Sequence, residues 1–127
     1  MRFEPLTSSA KDETALREEY NQARKFEKLR LGQSCLFFKK GLKAFYIPDS
    51  EISRYFRRIM VVPGKLCCGR GDFEIEHLVI CGEAGELAQI QLPGAKAAKV
   101  VMECMAQLAP NAAVGRPGSD ATAAQQA

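Results

Sequence analysis

Residues 66–92 read LCCGRGDFEIEHLVICGEAGELAQIQL and contain the clearest alternating pattern in this 127-residue chain. From position 73 to position 81, apolar residues alternate with Glu74, Glu76 and Leu78, which is the period of a half-buried β-strand. The apolar positions of that alternation are Phe73, Ile75, Val79 and Cys81. The GEAG sequence at 82–85 turns the chain, and a second alternating run continues to Leu92. The stretch therefore predicts a β-hairpin whose apolar face must be covered by other elements.

Size and composition bound the class of protein. A chain of 127 residues has room for one hydrophobic core, and 46% hydrophobic with 26% charged residues is ordinary for a globular domain. The longest apolar runs are far shorter than the roughly 20 residues of a membrane-spanning helix. The first residues also lack the apolar region of a secretory signal. These features predict a cytoplasmic protein without a transmembrane segment.

Cysteine usage argues against a disulfide framework. The chain has five cysteines, an odd count, and no export signal. Cys35, Cys81 and Cys104 fall on apolar faces of predicted elements, where a free thiol behaves as a small hydrophobic group. We expect these three residues to lie in the core.

The N-terminal part of the chain predicts a helix over 10–31. Ser9 and Asp12 stand at capping-box spacing, and Gly32 follows the last periodic residue. One stripe with helical spacing contains Leu16, Tyr20, Ala23, Phe26 and Leu29. Residues 1–33 are thus predicted to form a helical segment that packs on the domain or pairs between protomers. The narrow stripe favours partner contact, which makes a homodimer an open alternative.

Two further strands and one ambiguous segment follow. Aromatic-rich runs at 35–38 and 44–47 flank a connection that contains glycine, which predicts a second hairpin. Residues 49–60 fit a helical spacing and an alternating spacing equally well. The β-branched end of this segment favours a helical turn over 49–52 followed by a strand over 53–62.

The C-terminal region predicts one helix and a tail. A single apolar face over 95–109 comprises Ala97, Val100, Val101, Cys104, Met105 and Leu108. Pro110 ends this helix, and residues 110–127 are small, polar and aperiodic. They are predicted to be disordered.

Residues 34–109 resemble pleckstrin-homology-like (PH-like) domains, especially the bacterial variants. The resemblance is carried by hairpin-ordered strands closed by one amphipathic helix. Its local points are the strand that starts at 35–38, the corner YIPDSEI at 46–52, and the strand at 86–92 that leads into the helix. The predicted domains are therefore a helical segment (1–33), a PH-like domain (34–109) and a tail (110–127).

The resemblance implies a mainly β fold in which the helix plugs one open end of a seven-stranded barrel. The pattern itself gives five or six strands, so a curved sheet of five to seven strands capped by the helix is expected. Some members of the family bind phosphoinositides through basic residues on the first hairpin, where this chain has Lys39, Lys40 and Lys43. The following strand, 44–47, lacks the Arg and Lys residues with which that pattern continues, so the lipid function is not carried over.

Basic residues are concentrated in one third of the chain. The candidate binding residues are Lys39, Lys40, Lys43, Arg54, Arg57, Arg58, Lys65 and Arg70. The next strands are acidic, so cross-strand ion pairs are the simpler interpretation. The alternative is a phosphate-bearing partner, either an anionic lipid or a nucleic acid.

Adjacent cysteines form a second unusual feature. Cys67 and Cys68 precede Arg70, a cation that would lower a thiol pKa, so a thiol or metal sensor is a third hypothesis. Neighbouring residues of a strand project to opposite faces, which argues against a shared metal ion. We expect two ordinary thiols.

No catalytic or cofactor motif is present in the sequence, so the chain is predicted to be non-enzymatic and without a cofactor. The only histidine, His77, lies among the apolar positions of its strand and is predicted to be packed and hydrogen-bonded. The leading hypothesis is a binding or scaffold domain that docks a protein or peptide partner on an open sheet edge or on the basic surface.

Overall fold

The computed structural model describes residues 2–7, 11–63 and 73–115. Over these residues the chain is mainly β and forms two open sheets with two α-helices. The strands are β1 (Arg2–Pro5), β2 (Arg24–Phe26), β3 (Leu29–Leu31), β4 (Cys35–Lys40), β5 (Lys43–Pro48), β6 (Arg54–Val62), β7 (Phe73–Gly82), β8 (Gly85–Gln91) and β9 (Ala113–Val114). The helices are α1 (Glu13–Gln22) and α2 (Ala95–Leu108). Neither helix is long and apolar enough to cross a membrane, in the part of the chain that is described.

The first sheet has five strands in the order β1-β5-β4-β3-β2. Strands β2 to β5 follow each other as antiparallel neighbours, and β1 adds to the outer edge of β5 in parallel. The second sheet has the order β8-β7-β6-β9, in which β6, β7 and β8 are antiparallel. The two-residue strand β9 pairs in parallel with the start of β6.

The main core lies between the two sheets and α2. Helix α2 contacts β3, β6 and β7, and its buried residues are Ala98, Val101, Met105 and Leu108. Opposite them, Leu29 and Leu36 come from the first sheet, and Leu78 and Ile80 come from the second. A helix therefore lies where the prediction over 95–109 placed one. Val101, Met105 and Leu108 of its predicted apolar face are buried, whereas the other residues of that face are half-buried, namely Ala97, Val100 and Cys104.

A second apolar cluster lies on the other face of the first sheet, under α1. Leu16 and Tyr20 of α1 pack against Cys35, Phe37 and other buried residues of β4 and β5. The Tyr20 and Phe37 rings meet edge to face, with centroids 5.3 Å apart. The apolar stripe of α1 is thus covered within the same chain, which corresponds to the first of the two predicted alternatives.

The helix predicted over 10–31 is wrong beyond Gln22. Residues 24–31 form the β2–β3 hairpin, in which Glu27 has a positive φ of 55°. Phe26 and Leu29, which are three positions apart, are direct cross-strand neighbours that face the main core. Their spacing suits a helix as well, so burial between the sheets decides the outcome. The first sheet consequently crosses the boundary predicted at residue 33.

A carboxylate joins α1 to the turn before β4. Glu19 Oε2 accepts hydrogen bonds from the backbone N–H groups of Ser34 (3.0 Å) and Cys35 (2.7 Å). Its Oε1 accepts from Ser34 Oγ at 2.6 Å. A Cβ atom at Gly32 would clash with this carboxylate, so the close approach favours glycine there.

The remaining predicted strands are present, but the opposite face of β7 from the one expected is buried in the main core. A 3₁₀ turn occupies Asp49–Glu51 and precedes β6, as predicted for 49–62. On β7, however, it is Leu78 and Ile80 that enter the main core, whereas Val79 and Cys81 form a small outer cluster with Phe56. The face opposite to the expected one is inward because α2 packs on it. Beyond α2, Ala113–Val114 is a strand within the tail predicted to be disordered, and residues 116–127 lie outside the described part.

Candidate functional site

A cleft of about 450 Å³ opens between the two sheets, and its lining includes Ala88 and Ile90 at the border of the main core. One wall is formed by Phe38 of β4 and Phe45 of β5. These two residues are cross-strand partners, and their rings stack with centroids 5.5 Å apart. The opposite wall is β8, with Leu87, Ala88 and Ile90. A cleft of this size, with apolar walls and a few polar groups, is typical of a binding site.

Three lysines stand at the mouth of this cleft. Lys28 follows the β2 strand, and Lys39 and Lys40 end β4. All three are exposed, and no described carboxylate lies within 4.0 Å of their ammonium groups. Glu86 also lines the cleft, but its carboxylate is 3.1 Å from Arg58. The mouth therefore has a surplus of positive charge.

The wall formed by β8 is also an open sheet edge. Leu92 N–H donates to Glu76 O at 2.8 Å, so the even-numbered residues of this segment face β7. Backbone groups alternate in direction along a strand, so those of Gln89 and Gln91 point away from the sheet. No described strand pairs with that side of β8. The cleft thus combines an apolar wall, unpaired peptide groups and lysines.

The predicted basic surface is divided in the structure. Lys39 and Lys40 belong to the cleft, while Lys43 on the next strand is 3.3 Å from Glu4. Arg54, which has further interactions, donates to the Gly115 carbonyl oxygen at 3.0 Å. Arg58 contacts Glu86 and Gln89 of β8 and lies over the Phe56 ring. Lys65 and Arg70 lie outside the described residues, as do Cys67 and Cys68.

A bidentate ion pair joins Arg57 and Glu76 across β6 and β7. Two guanidinium nitrogens of Arg57 donate to the two carboxylate oxygens of Glu76, one of them at 2.9 Å. The Glu76 side chain is only 4% exposed. Hydrogen bonding to Arg57 holds the pKa of this carboxyl below its usual value and raises the pKa of the guanidinium further. The expected ion pairs between strands are therefore present at two of the arginines: Arg57 pairs with Glu76 of β7, and Arg58 pairs with Glu86 of β8.

Two thiols and one imidazole are packed rather than exposed. Cys35 and Cys81 are buried, and burial is the main cause that raises the pKa of each thiol. Cys104 is half-buried. His77 is buried as predicted, but its Nδ1 has no hydrogen-bond partner among the described residues. In that same part of the chain, no group of three or more metal-ligating side chains is arranged to hold an ion.

The sequence did not reveal Lys28 or the stacked phenylalanines as site residues. Lys28 lay inside the predicted helix, and only the β2–β3 turn places it beside Lys39, whose N–H donates to the Lys28 carbonyl oxygen at 2.9 Å. Phe38 and Phe45 lay in a correctly predicted hairpin. In the sequence, both phenylalanines lie at equal distances from the turn, and this spacing indicates that they are cross-strand neighbours.

Comparison with known proteins found no match to this chain among family models, curated proteins or solved structures.

Proposed function

We propose that this chain is a non-enzymatic, PH-like interaction module that docks an extended acidic segment of a protein partner in the cleft beside β8. The observation that carries the proposal is the open β8 edge facing the Phe38–Phe45 pair, with Lys28, Lys39 and Lys40 at its mouth. Strand addition to such an edge supplies affinity through backbone hydrogen bonds and specificity through side-chain contacts.

The order of the elements supports the PH-like part of the proposal. Seven consecutive strands form two runs of antiparallel neighbours, β2 to β5 in the first sheet and β6 to β8 in the second, and lead into α2. This number equals the strand count of the family. Helix α2 also buries its apolar face between the sheets, as the plugging helix of the family does.

The chemistry of the cleft specifies the partner segment. Its backbone would pair with the outward N–H and C=O groups of Gln89 and Gln91. An apolar or aromatic side chain would lie on the Phe38–Phe45 pair, where stacking adds to area burial. Acidic side chains would meet the lysines, which steer association and favour an acidic partner over a basic one.

The test starts with selection of peptides from a random display library against the immobilised full chain. The selected peptides are expected to be acidic with one apolar anchor, and their affinity should fall as salt is added. Amide chemical shifts on titration should change at Gln89 and Gln91. Basic peptides, or shift changes confined to other surfaces, would contradict the proposal.

Substitutions separate the contribution of the β8 backbone edge to peptide binding from that of the lysines. Gln91→Pro removes one outward N–H donor without removing a β7–β8 hydrogen bond, and we expect it to abolish peptide binding while the fold is kept. Lys39→Glu with Lys40→Glu reverses the charge at the mouth and should weaken binding by about tenfold or more. The matched control is Lys96→Glu with Lys99→Glu on the exposed face of α2, which should leave binding unchanged.

A second candidate function rests on the same lysines. Their unpaired charge also suits an anionic lipid or nucleic-acid phosphate, and such binding would need neither the β8 edge nor the phenylalanines. Binding to vesicles with anionic lipid that survives Gln91→Pro would favour this alternative. The thiol or metal sensor at Cys67 and Cys68 stays a prediction, since both residues lie outside the described part.

A further inference from the structure

The distal part of β6 exposes three consecutive apolar side chains. Ile59, Met60 and Val61 are 43%, 45% and 60% exposed, although they belong to a regular strand paired with β7. A run of exposed apolar residues on an edge strand promotes pairing with another chain, and natural proteins usually protect such edges with charge.

The backbone on this side of β6 is open as well. Gly115 N–H donates to Tyr55 O at 3.0 Å, so Tyr55 faces β9. By alternation, the peptide groups of Arg57, Ile59 and Val61 point in the same direction. Strand β9 ends at Val114, and no other described strand lies along this edge. The open stretch thus extends from residue 57 to residue 62, where Pro63 follows with no N–H to donate.

The charges along this stretch are already neutralised within the chain. Glu76 binds Arg57 with both carboxylate oxygens, and Glu86 lies 3.1 Å from Arg58. Two identical copies of the stretch therefore meet without like-charge repulsion. The lysine-rich cleft beside β8 is different, because a second copy of it would be repelled.

We propose that this edge is the interface of a homodimer, in which β6 pairs antiparallel with β6 of a second copy about a two-fold axis at Ile59. A two-fold interface requires a self-complementary surface, and an apolar, charge-neutral strand edge is one. In this register Ile59 meets Ile59 of the partner subunit, and Arg57 lies opposite Val61 of the partner subunit. The pairing joins two four-stranded sheets into one continuous sheet. Strand β9 and Pro63 limit the pairing to residues 57–61, a stretch that is centred on Ile59.

The chain's own C-terminal residues are a poorer match for the edge. Residues 116–127 read RPGSDATAAQQA, with Pro117 and Gly118 at the point where β9 would have to continue. They also lack the large apolar side chains that would cover Ile59 and Val61. A second copy supplies such side chains at the right spacing.

Sedimentation velocity on the full chain over a range of concentrations tests the proposal. We expect a reversible monomer–dimer equilibrium. Val61→Lys places one lysine on each of the two paired edges, where charge disfavours strand pairing, and should weaken the equilibrium by about 100-fold or more. The matched control is Leu42→Lys, because Leu42 is 88% exposed in the β4–β5 turn, away from this edge. A monomer at every concentration, or equal effects of the two variants, would overturn the proposal.

Hydrogen exchange identifies the edge that pairs. The amides of Arg57, Ile59 and Val61 should exchange more slowly as the protein concentration rises, because they become bonded only in the dimer. The amide of Arg58 already faces β7 and should not respond. Protection of the three amides that is independent of concentration would show that the chain covers its own edge, and would also overturn the proposal.

Discussion

The two halves of the β6–β7 hairpin share one regular hydrogen-bond ladder but differ in what covers their side chains. In the proximal half, Tyr55 and Ile80 are 1% and 0% exposed beneath α2. In the distal half, Ile59 and its cross-strand partner Glu76 lie beyond the main core, and Ile59 is 43% exposed. Strand pairing therefore extends past the point where the core ends. The difference shows that the ladder sets the shape of the hairpin, while burial sets how much each residue stabilises it.

The largest expected effect comes from truncating a proximal residue. Ile80→Ala removes methylene groups from a fully buried site between the second sheet and α2, and should lower the free energy of unfolding by about 3–4 kcal/mol. Denaturant titration followed by circular dichroism measures this loss. A loss below about 1 kcal/mol would mean that the proximal half is not better packed than the distal half.

Substitution of Arg57, which lies between the two halves of the hairpin, should lower the free energy of unfolding almost as much. Arg57→Leu leaves the buried Glu76 carboxylate without its partner, and should cost roughly 2–4 kcal/mol of unfolding free energy. Arg17→Leu is the matched control, because Arg17 forms an exposed pair with Glu13 at 3.2 Å. That substitution is expected to cost less than about 0.5 kcal/mol. Equal losses from the two substitutions would contradict the burial of the Arg57–Glu76 pair.

The Arg57–Glu76 pair should also make the stability of the fold depend on pH. The pKa of Glu76 is lower in the folded state than in the unfolded chain, so its contribution is present above the unfolded pKa and is lost as the pH falls through the folded pKa. We expect Glu76→Gln to destabilise the protein by about 1–2 kcal/mol at pH 7. The difference from the parent should shrink as the pH is lowered into the acid range. Thermal unfolding of both proteins across that range measures it, and a constant difference would argue against an ionised Glu76.

The smallest effect is expected in the distal half. Ile59→Ala changes the same residue type as Ile80→Ala, but at a half-exposed site, and should cost less than about 1 kcal/mol at concentrations where the chain is monomeric. Comparison of the two denaturation midpoints gives the contrast directly. If the Ile59 substitution costs as much as the Ile80 substitution, the edge of β6 is covered even in the monomer.

Much of the fold was predictable because local pattern and tertiary burial agree in most elements. The face of α2 with Val101 and Met105 follows from apolar periodicity. The β4–β5 hairpin follows from its two aromatic-rich runs around a glycine, and the strand over 54–62 follows from its β-branched end. Prediction failed at Phe26 and Leu29, where a spacing of three fits both a helix and a tight hairpin. It also exchanged the faces of β7, because Val79 and Leu78 are equally apolar and only the position of α2 distinguishes them.

The candidate site was predictable only in part, for a related reason. Charge clustering identified Lys39 and Lys40 but grouped them with Arg57 and Arg58, which lie on the other sheet and are engaged with acidic partners. Composition shows that charges of both signs are present, whereas pairing depends on distances across strands. Lys28 and the open edge of β8 depend on the β2–β3 turn and on the order of strands in the second sheet, and neither is a local property.

Local sequence patterns were enough to predict the class of the fold, the C-terminal helix and most strands of the sheets, because periods of 2 and 3.6 residues report which side of an element is apolar. The folded structure was needed to show where α1 ends, which face of β7 is inward, and which charges of the described residues lack an ion-pair partner. It was also needed to show that β8 and the distal part of β6 have edges that no described strand covers. These outcomes depend on contacts between residues far apart in the chain, and the free energy of burial at those contacts outweighs the weaker local preferences.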